Sequence, residues 1–491
     1  MEKTQGEASP SGSSSEDPKN ASTETNRIYH ETPAERVKKG KAARSTVPRS
    51  SLAAWDPPDD RPDPVDLLEG QAQERVPDLV PIRYGRMMTS PFAFYRGAAV
   101  IMASDLAMMP NTGLNVQLCG DAHLSNFGGF ASPERTLVLD LNDFDETLPG
   151  PWEWDVKRLA ASMEIAGRER NFDAKTRSNL VSATVGEYQQ AMREFSELRN
   201  LEMWYLHLSP EAIQARWGIS AKAKAIKSLD ADFAKAYHKD NLRAYEKLTH
   251  RVNGKLRIVA NPPLVVPIED LYTKGGEQEI EDILRGLIRG YRSSLQPDLR
   301  RLLESYRYAH IARKVVGVGS VGTLTWILLM LGRDDQDPLF LQVKEAKSSV
   351  LEPYLGKSVY SHKGQRVVEG QRLMQAASDI FLGWERVLSG IDEKSHDFYI
   401  RQLWDWKVSA DPEVMKPGEM TIYGRICGWT LARAHARSGD RIAIAAYLGK
   451  GKVYNQAIVD FAIAYADQNE RDYQALVEAV NSGRIKAETG I

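Results

Sequence analysis

The stretch that most constrains this chain is residues 116–146, VQLCGDAHLSNFGGFASPERTLVLDLNDFDE, because it packs an acid, an amide and further acids between short runs of strand character. Residues 116–119 alternate like a strand, GDAHLSN is a polar turn, and FGGF is a second extended piece. ASPERT is a loop, and LVLDL is a third strand ending at Asn142, Asp143, Phe144 and Asp145. Asp121 and Asn126 stand in D-x-x-x-x-N spacing, and the third strand delivers Asp143, with Asp145 two residues on, to the same loop. Magnesium-dependent phosphoryl transfer asks a protein for such a set: an acid to orient the attacking group, and an amide and a carboxylate to hold metal against phosphate. Taken singly, each piece is ordinary turn chemistry. It is the order of the three, with strand patterning on both sides, that points to a reaction.

A second informative region begins at Arg313, RKVVGVGSVGTLTWILLMLGRDDQDPLFLQVKEAKSS, with a G-x-G-x-x-G at Gly317, Gly319 and Gly322 and Ser320 between them. A dinucleotide fold needs a helix after such glycines. Residues 323–331 instead are rich in Thr, Trp, Ile and Leu, lack an N-cap and end in a GRDDQDP turn, so strand, glycine turn, strand is the expected arrangement. In LFLQVKEA, Leu339, Leu341 and Val343 alternate with Phe340, Gln342 and Lys344. Lys344 thus projects from an apolar strand on the face opposite Val343, where a lysine invites an anion.

Together these motifs resemble the catalytic core of the protein-kinase-like fold, especially the aminoglycoside-phosphotransferase-like branch, whose loop reads H-G-D-x-H-x-x-N and is followed by an I-D-F-type acid. Gly120, Asp121, His123, Asn126, Asp143 and Phe144 match, while Cys119 stands where that branch has a histidine. The resemblance implies an α+β, two-lobed fold with a small antiparallel-sheet lobe, a larger mainly helical lobe, and ATP and magnesium as cofactors. It implies that Asp121, His123 and Asn126 are catalytic and that Asn126, Asp143 and Asp145 hold the metal. Gly317, Gly319, Ser320, Gly322 and Lys344 would meet the nucleotide, with Glu369 as the lysine's partner on the following helix; Glu345 and Glu352 rival Glu369, and Lys347 rivals Lys344. A helix-start aspartate behind the loop, here Asp155, would brace it. The motif order is permuted, since the glycine loop and lysine follow the catalytic loop instead of preceding it, which packed contacts and nearby termini permit. Across nearly the whole chain, RMMTSPFAFYRG, CGDAHLSNFG, NDFDET, GPWEWDVKRLAAS, VGVGSVGT, VVEGQRLMQAASDIFLGW and RQLWDWK resemble the bacterial family known as domain of unknown function 2252.

The remaining chain supplies the setting. With 491 residues, 42% hydrophobic and 26% charged, it can bury one large or two ordinary cores. A net charge of -2 removes the electrostatic argument for nucleic acid or an anionic membrane as partner. Two cysteines suit a reducing compartment, and without a leader or a spanning apolar run a cytoplasmic protein is expected. Residues 1–64 are poor in apolar groups and read as a disordered tail. Residues 65–300 read as the catalytic-loop part with a helical insertion, 301–407 as the small lobe, and 408–491 as helices completing the large lobe. Asp155 precedes Val156, Leu159, Ala160 and Met163 and reads first as a helix N-cap. Residues 174–250 are helix-rich, Asn253-Gly254 marks a two-residue hairpin, residues 403–407 a linker between lobes, and GRICGWTLARAHARSGD a helix. Arg83, Arg86 and Arg96 are able either to contact phosphate or to pair with acids of their own lobe.

The leading expectation is an ATP- and magnesium-dependent phosphotransferase acting on a small-molecule or protein hydroxyl. Nucleotidyl transfer of AMP uses the same parts. A nucleotide-binding regulator without turnover, and a metal-dependent hydrolase built on Cys119, His123, Asp143 and Asp145, are the alternatives.

Overall fold

The chain is described by a computed structural model covering residues 30–218, 241–271, 277–315, 317–388, 394–403 and 406–490. Part of the helix-rich stretch expected at 174–250 (219–240), and Trp404 and Asp405 of the expected linker, lie outside the described residues.

The architecture is mixed α+β, with one six-stranded sheet and several small ones. Proceeding along the chain, helix α1 (Pro33–Thr46) is followed by α2 (Pro64–Ala72), α3 (Val80–Met87) and α4 (Pro91–Gly97). Then come β1 (Asn115–Leu118), β2 (Phe127–Ala131), β3 (Leu137–Leu141) and β4 (Leu148–Pro151). Strands β2 and β3 form the expected antiparallel hairpin, Gly129 opposite Leu139, and β1 pairs with β4. Helices α5 (Glu153–Glu169) and α6 (Ala174–Glu197) follow. The Asn253-Gly254 turn joins β5 (Thr249–Val252) to β6 (Lys255–Ile258), with both turn residues at positive φ.

The large sheet runs in the order β11, β12, β10, β9, β8, β7 and is antiparallel throughout. Its strands are β7 (Val265–Pro267), β8 (Arg307–Lys314), β9 (Thr325–Leu331), β10 (Pro338–Glu345), β11 (Gly383–Val387) and β12 (His396–Gln402). Every residue of β9 and β10 is buried, which suits their continuous Leu, Ile, Val and Phe content. Leu339, Leu341 and Val343 pack with Leu284, Leu287 and Tyr291 of helix α7 (Glu277–Ser293), while Phe340 joins Ile327 and Leu329 on the other face. Lys344 shares the Phe340 face, as its alternation requires. β7 is the sheet's edge strand and α7 packs on its face, so the sheet takes in residues from 265 onward.

The largest apolar cluster joins the β2–β3 hairpin to α5, α6 and the C-terminal helices α9 (Pro417–Ser438), α10 (Arg441–Leu448) and α11 (Val453–Asn481). A further helix, α8 (Lys363–Met374), lies between them and the sheet. The short strand β13 (Val408–Ser409), just after the linker, pairs with β2.

The expected tail is corrected from residue 33 onward. Thr32 and Glu35 form a reciprocal capping box that starts α1. The helix lies so close to α10 that a Cβ at Gly40 would stand 2.0 Å from the Ala443 carbonyl oxygen. Arg44 and Arg49 donate to the Tyr447 and Leu448 carbonyls (2.9 and 2.6 Å), satisfying groups that the C-terminus of α10 leaves open. The segment is held by backbone proximity and arginine capping, neither of which apolar content measures.

Candidate active site

The loop after β1 is built from behind. Gly120 adopts φ +82, and a Cβ there would fall 2.4 Å from the Glu146 carbonyl oxygen, so this turn takes only glycine. Asp155 receives the Cys119 and Gly120 amides at 2.8 and 3.0 Å and His435 Nε2 of α9 at 3.2 Å. It therefore lies inside the first turn of α5 and braces the loop; Trp152 occupies the N-cap position, so the N-cap expectation for Asp155 is corrected. One turn on, Arg158 donates to Asp121 Oδ1 at 2.8 Å and to the Tyr95 carbonyl at 2.7 Å. Ser162 receives the Leu124 amide at 3.0 Å. Asp155, Arg158 and Ser162 thus form a polar stripe down one face of α5 that fixes the whole loop.

Asp121 is held by this stripe. Burial raises its pKa above the ordinary carboxylate value, with Arg158 opposing. Asn126 donates its amide nitrogen to the Asp121 carbonyl at 2.7 Å, which leaves its amide oxygen as the atom on offer to a ligand. His123 Nδ1 accepts from the Ser125 amide (3.2 Å), and its Nε2 lies 3.7 Å from Asp121 Oδ2. Burial, aided by Arg96 and Arg158, keeps this imidazole neutral by pushing its pKa well down.

Asp143 and Asp145 diverge in role. Lys344 makes a short ion pair with Asp145, whose carboxylate also accepts from the Tyr399 hydroxyl (2.7 Å) and from Ser320 Oγ (3.4 Å). Although burial opposes it, Lys344 holds the Asp145 pKa down. Asp143 accepts only the Asp145 amide, at 3.2 Å, and among the described residues no Lys or Arg pairs with it. Burial and the neighbouring Asp145 raise its pKa. A half-buried carboxylate raised by a like charge is the side chain that a cation would restore to its charged form. Asn126 and Asp143 are therefore the oxygen pair that fits magnesium, which ordinarily takes one or two protein carboxylates and completes its shell from phosphate and water. Asp145 is occupied by Lys344.

The same ion pair corrects the expectation for Glu369. That residue, on α8, pairs with Arg372 at 3.4 Å, away from Lys344. Glu345 pairs with His396 (2.7 Å) and Lys347. The α8 residue that reaches the site is Arg366, donating to the Asp145, Thr147 and Lys347 carbonyls (2.7, 2.7 and 2.9 Å).

The glycine loop between β8 and β9 is fastened by α3 and by the turn between α2 and α3. Arg86 donates to the Gly317 carbonyl and Arg75 to the Val321 carbonyl (both 2.5 Å), and the Val76 amide donates to the Gly322 carbonyl (2.8 Å). Gly317 and Ser320 sit where two cavities meet. One, about 370 Å³, is lined by Lys344, Asn126, Asp143, Gln342, Gln402 and Leu403. The other, about 660 Å³, is lined by Asp121, His123, Asp145 and Lys347 and also includes Asn126 and Asp143. Lys344 and Asp143, two hundred residues apart in sequence, thus border one space. Sequence reasoning missed Arg158, Tyr399 and Arg366; only Arg158 carried a signal, its i,i+3 spacing from Asp155 on α5.

The hydrolase alternative loses its thiol: Cys119 is fully buried, and burial drives its pKa well up. Among the described residues no three His, Cys, Asp or Glu side chains gather as a metal cage, and no helix is long and apolar enough to cross a membrane.

Beside the site, burial pushes the Glu146 carboxyl up to about 7, with Arg366 opposing. The folded protein then binds a proton that the unfolded chain, near 4.5, releases, so this group's contribution is full below pH 4.5 and is lost as pH rises through 7. Glu146→Gln is expected to remove that dependence. Since the residue is only partly buried, the variant should gain about 1–3 kcal/mol over the parent at pH 8 and nothing at pH 4. Urea midpoints at the two pH values measure it.

No curated protein and no solved structure matches the chain. Its sequence does match, over residues 75–479, the pattern of the family described as an uncharacterized protein conserved in bacteria, domain of unknown function 2252, and the chain belongs to that family.

Proposed function

We propose that the protein is an ATP- and magnesium-dependent phosphotransferase with a kinase-like, two-lobed arrangement in permuted order, acting in a reducing, cytoplasmic setting. The observation that carries this reading is the pair of cavities that share Asn126 and Asp143, one lined by Lys344 and the other by Asp121 and by Asp145, the lysine's ion-pair partner. The permutation is supported by the end of α9, where Ser438 Oγ receives the Gln117 amide at 3.2 Å. The helix that would precede the catalytic loop in an unpermuted chain therefore ends against the strand that leads into it.

Asn126 and Asp143 would hold magnesium and Lys344 the phosphates of ATP, which together bring the transferable group and neutralise its charge. Asp121, fixed by Arg158, accepts the hydrogen bond of the incoming hydroxyl and aligns it. Neutral His123 limits the ways in which that carboxylate can turn. A space of about 660 Å³ on the Asp121 side suits a small-molecule acceptor.

The test is a melting curve with and without ATP and magnesium, followed by product analysis. A rise in midpoint that needs both is expected, with ADP as product. No rise with any adenine nucleotide would remove the reading. AMP attached to the acceptor would replace it with nucleotidyl transfer, and binding without product would leave a regulator.

A further inference from the structure

Arg96, near the end of α4, is the cation that the reading above does not use. Its side chain lines both cavities, together with Asn126, Asp143, Gly317 and Ser320. It is partly buried, its Nε is sealed from solvent without a hydrogen-bond partner, and its guanidinium carbon lies 6.0 Å from the Phe92 ring centre. Asp121, Glu169 and Glu413 exert a field on it. Among the described residues, none forms an ion pair or hydrogen bond with its side chain.

The other arginines of this wall are consumed. Arg158 holds Asp121, Arg75 and Arg86 fasten the glycine loop, and Arg401 donates to Gln342 and to the Asn142 carbonyl (both 3.0 Å). A sequestered cation with no partner costs stability, so a purely structural role gives no reason for a guanidinium here. The planar fork of arginine suits phosphate oxygens. The glycine loop packs against the backbone at this residue, since a Cβ on Gly319 would come within 3.2 Å of the Arg96 carbonyl oxygen.

Resting on the phosphotransferase reading, we propose that Arg96 seats a phosphate-type oxyanion at the junction of the two cavities. That anion is either the terminal phosphate of the nucleotide, entering from the 370 Å³ side, or a phosphate carried by the acceptor, entering from the 660 Å³ side.

Calorimetric titration of the full chain and of Arg96→Gln separates the sources. The probes are ATP with magnesium, ADP with magnesium, and inorganic phosphate added to protein saturated with ADP. If the seat takes the terminal phosphate, ATP affinity falls about tenfold or more while ADP affinity holds. If it takes the acceptor's anion, both nucleotides bind as before and phosphate binding is lost. Unchanged affinity for ATP and for phosphate overturns the proposal. Without ligand, Arg96→Gln is expected to melt at or above the parent's temperature, and a lower midpoint would mark a structural arginine and overturn it too. Should the parent bind no nucleotide at all, the phosphotransferase reading fails separately. Inorganic phosphate alone, binding the parent and not Arg96→Gln, would then still support the seat, and its failure to bind the parent would end it.

Discussion

Asp143→Ala is expected to remove the magnesium-dependent part of nucleotide binding and to lower turnover on the order of 10³-fold, the size of effect seen when one preorganised charge-stabilising group is deleted. The size follows from the division of labour between the two neighbouring acids. Asp145 cannot replace Asp143, because its oxygens are engaged by Lys344, Tyr399 and Ser320. Among the described residues Asp143 makes no ion pair, and burial and Asp145 raise its pKa against the opposing fields of Lys344 and Arg401, so its removal relieves a net unfavourable charge and leaves the unliganded protein at least as stable. The variant should therefore melt normally on its own, lose the shift that ATP and magnesium give together, and release ADP about 10³-fold more slowly than the parent. Glu369→Gln is the control: paired with Arg372 on the outer side of α8, it should leave both shift and turnover intact. A magnesium-dependent shift that survives in Asp143→Ala would mean that the metal ligands lie elsewhere.

The contrast between Asp145 and Glu369 shows where the sequence was legible and where it was not. Local order was readable, because short apolar runs bounded by polar turns around 116–146 and 323–345 mark buried strands. The three strands, the glycine turn between strands and the facing of Lys344 follow from it. The lysine's partner is a matter of tertiary approach. A glutamate on the following helix and an aspartate two residues beyond the metal acid are equally good in composition, and only the packing of α8, which turns Arg366 and not Glu369 toward the crevice, decides between them. The same limit applies to residues 33–53, whose few apolar groups hid a helix fastened by arginines to the carbonyls of α10. It applies again to β7 and α7, which join the sheet from outside the range that the glycine and lysine motifs marked. The polar stripe Asp155, Arg158, Ser162 was readable by helical spacing, but its purpose becomes visible only once the loop lies against it.

The site depends on a second buried pair, and breaking it is expected to cost the most stability. Arg433 of α9 makes a short ion pair with Asp140 of β3 and donates to the Met374 carbonyl at the end of α8 (2.8 Å). Both side chains are almost wholly buried, at 1% and 4% exposure, so solvent does not screen the interaction. Asp140 lies three residues before Asp143, and Gln375, beside Met374, donates to the Leu141 carbonyl at 2.6 Å. One guanidinium thus joins β3, which leads to Asp143, the end of α8 and the helix α9. Arg433→Met should cost about 3–5 kcal/mol, because it strands a buried carboxylate that burial already pushes toward protonation. The double variant Arg433→Met, Asp140→Asn should recover much of that loss, since the stranded charge, not the missing attraction, is the larger penalty. The half-exposed pair Arg168 and Asp467 provides the scale, with Asp467→Asn expected to cost about 0–1 kcal/mol while the pairing of Arg168 with buried Glu164 stays in place. Urea midpoints compare all three. If Arg433→Met costs no more than the exposed pair, apolar packing alone holds β3 against the helices, and the position of Asp143 does not depend on this charge.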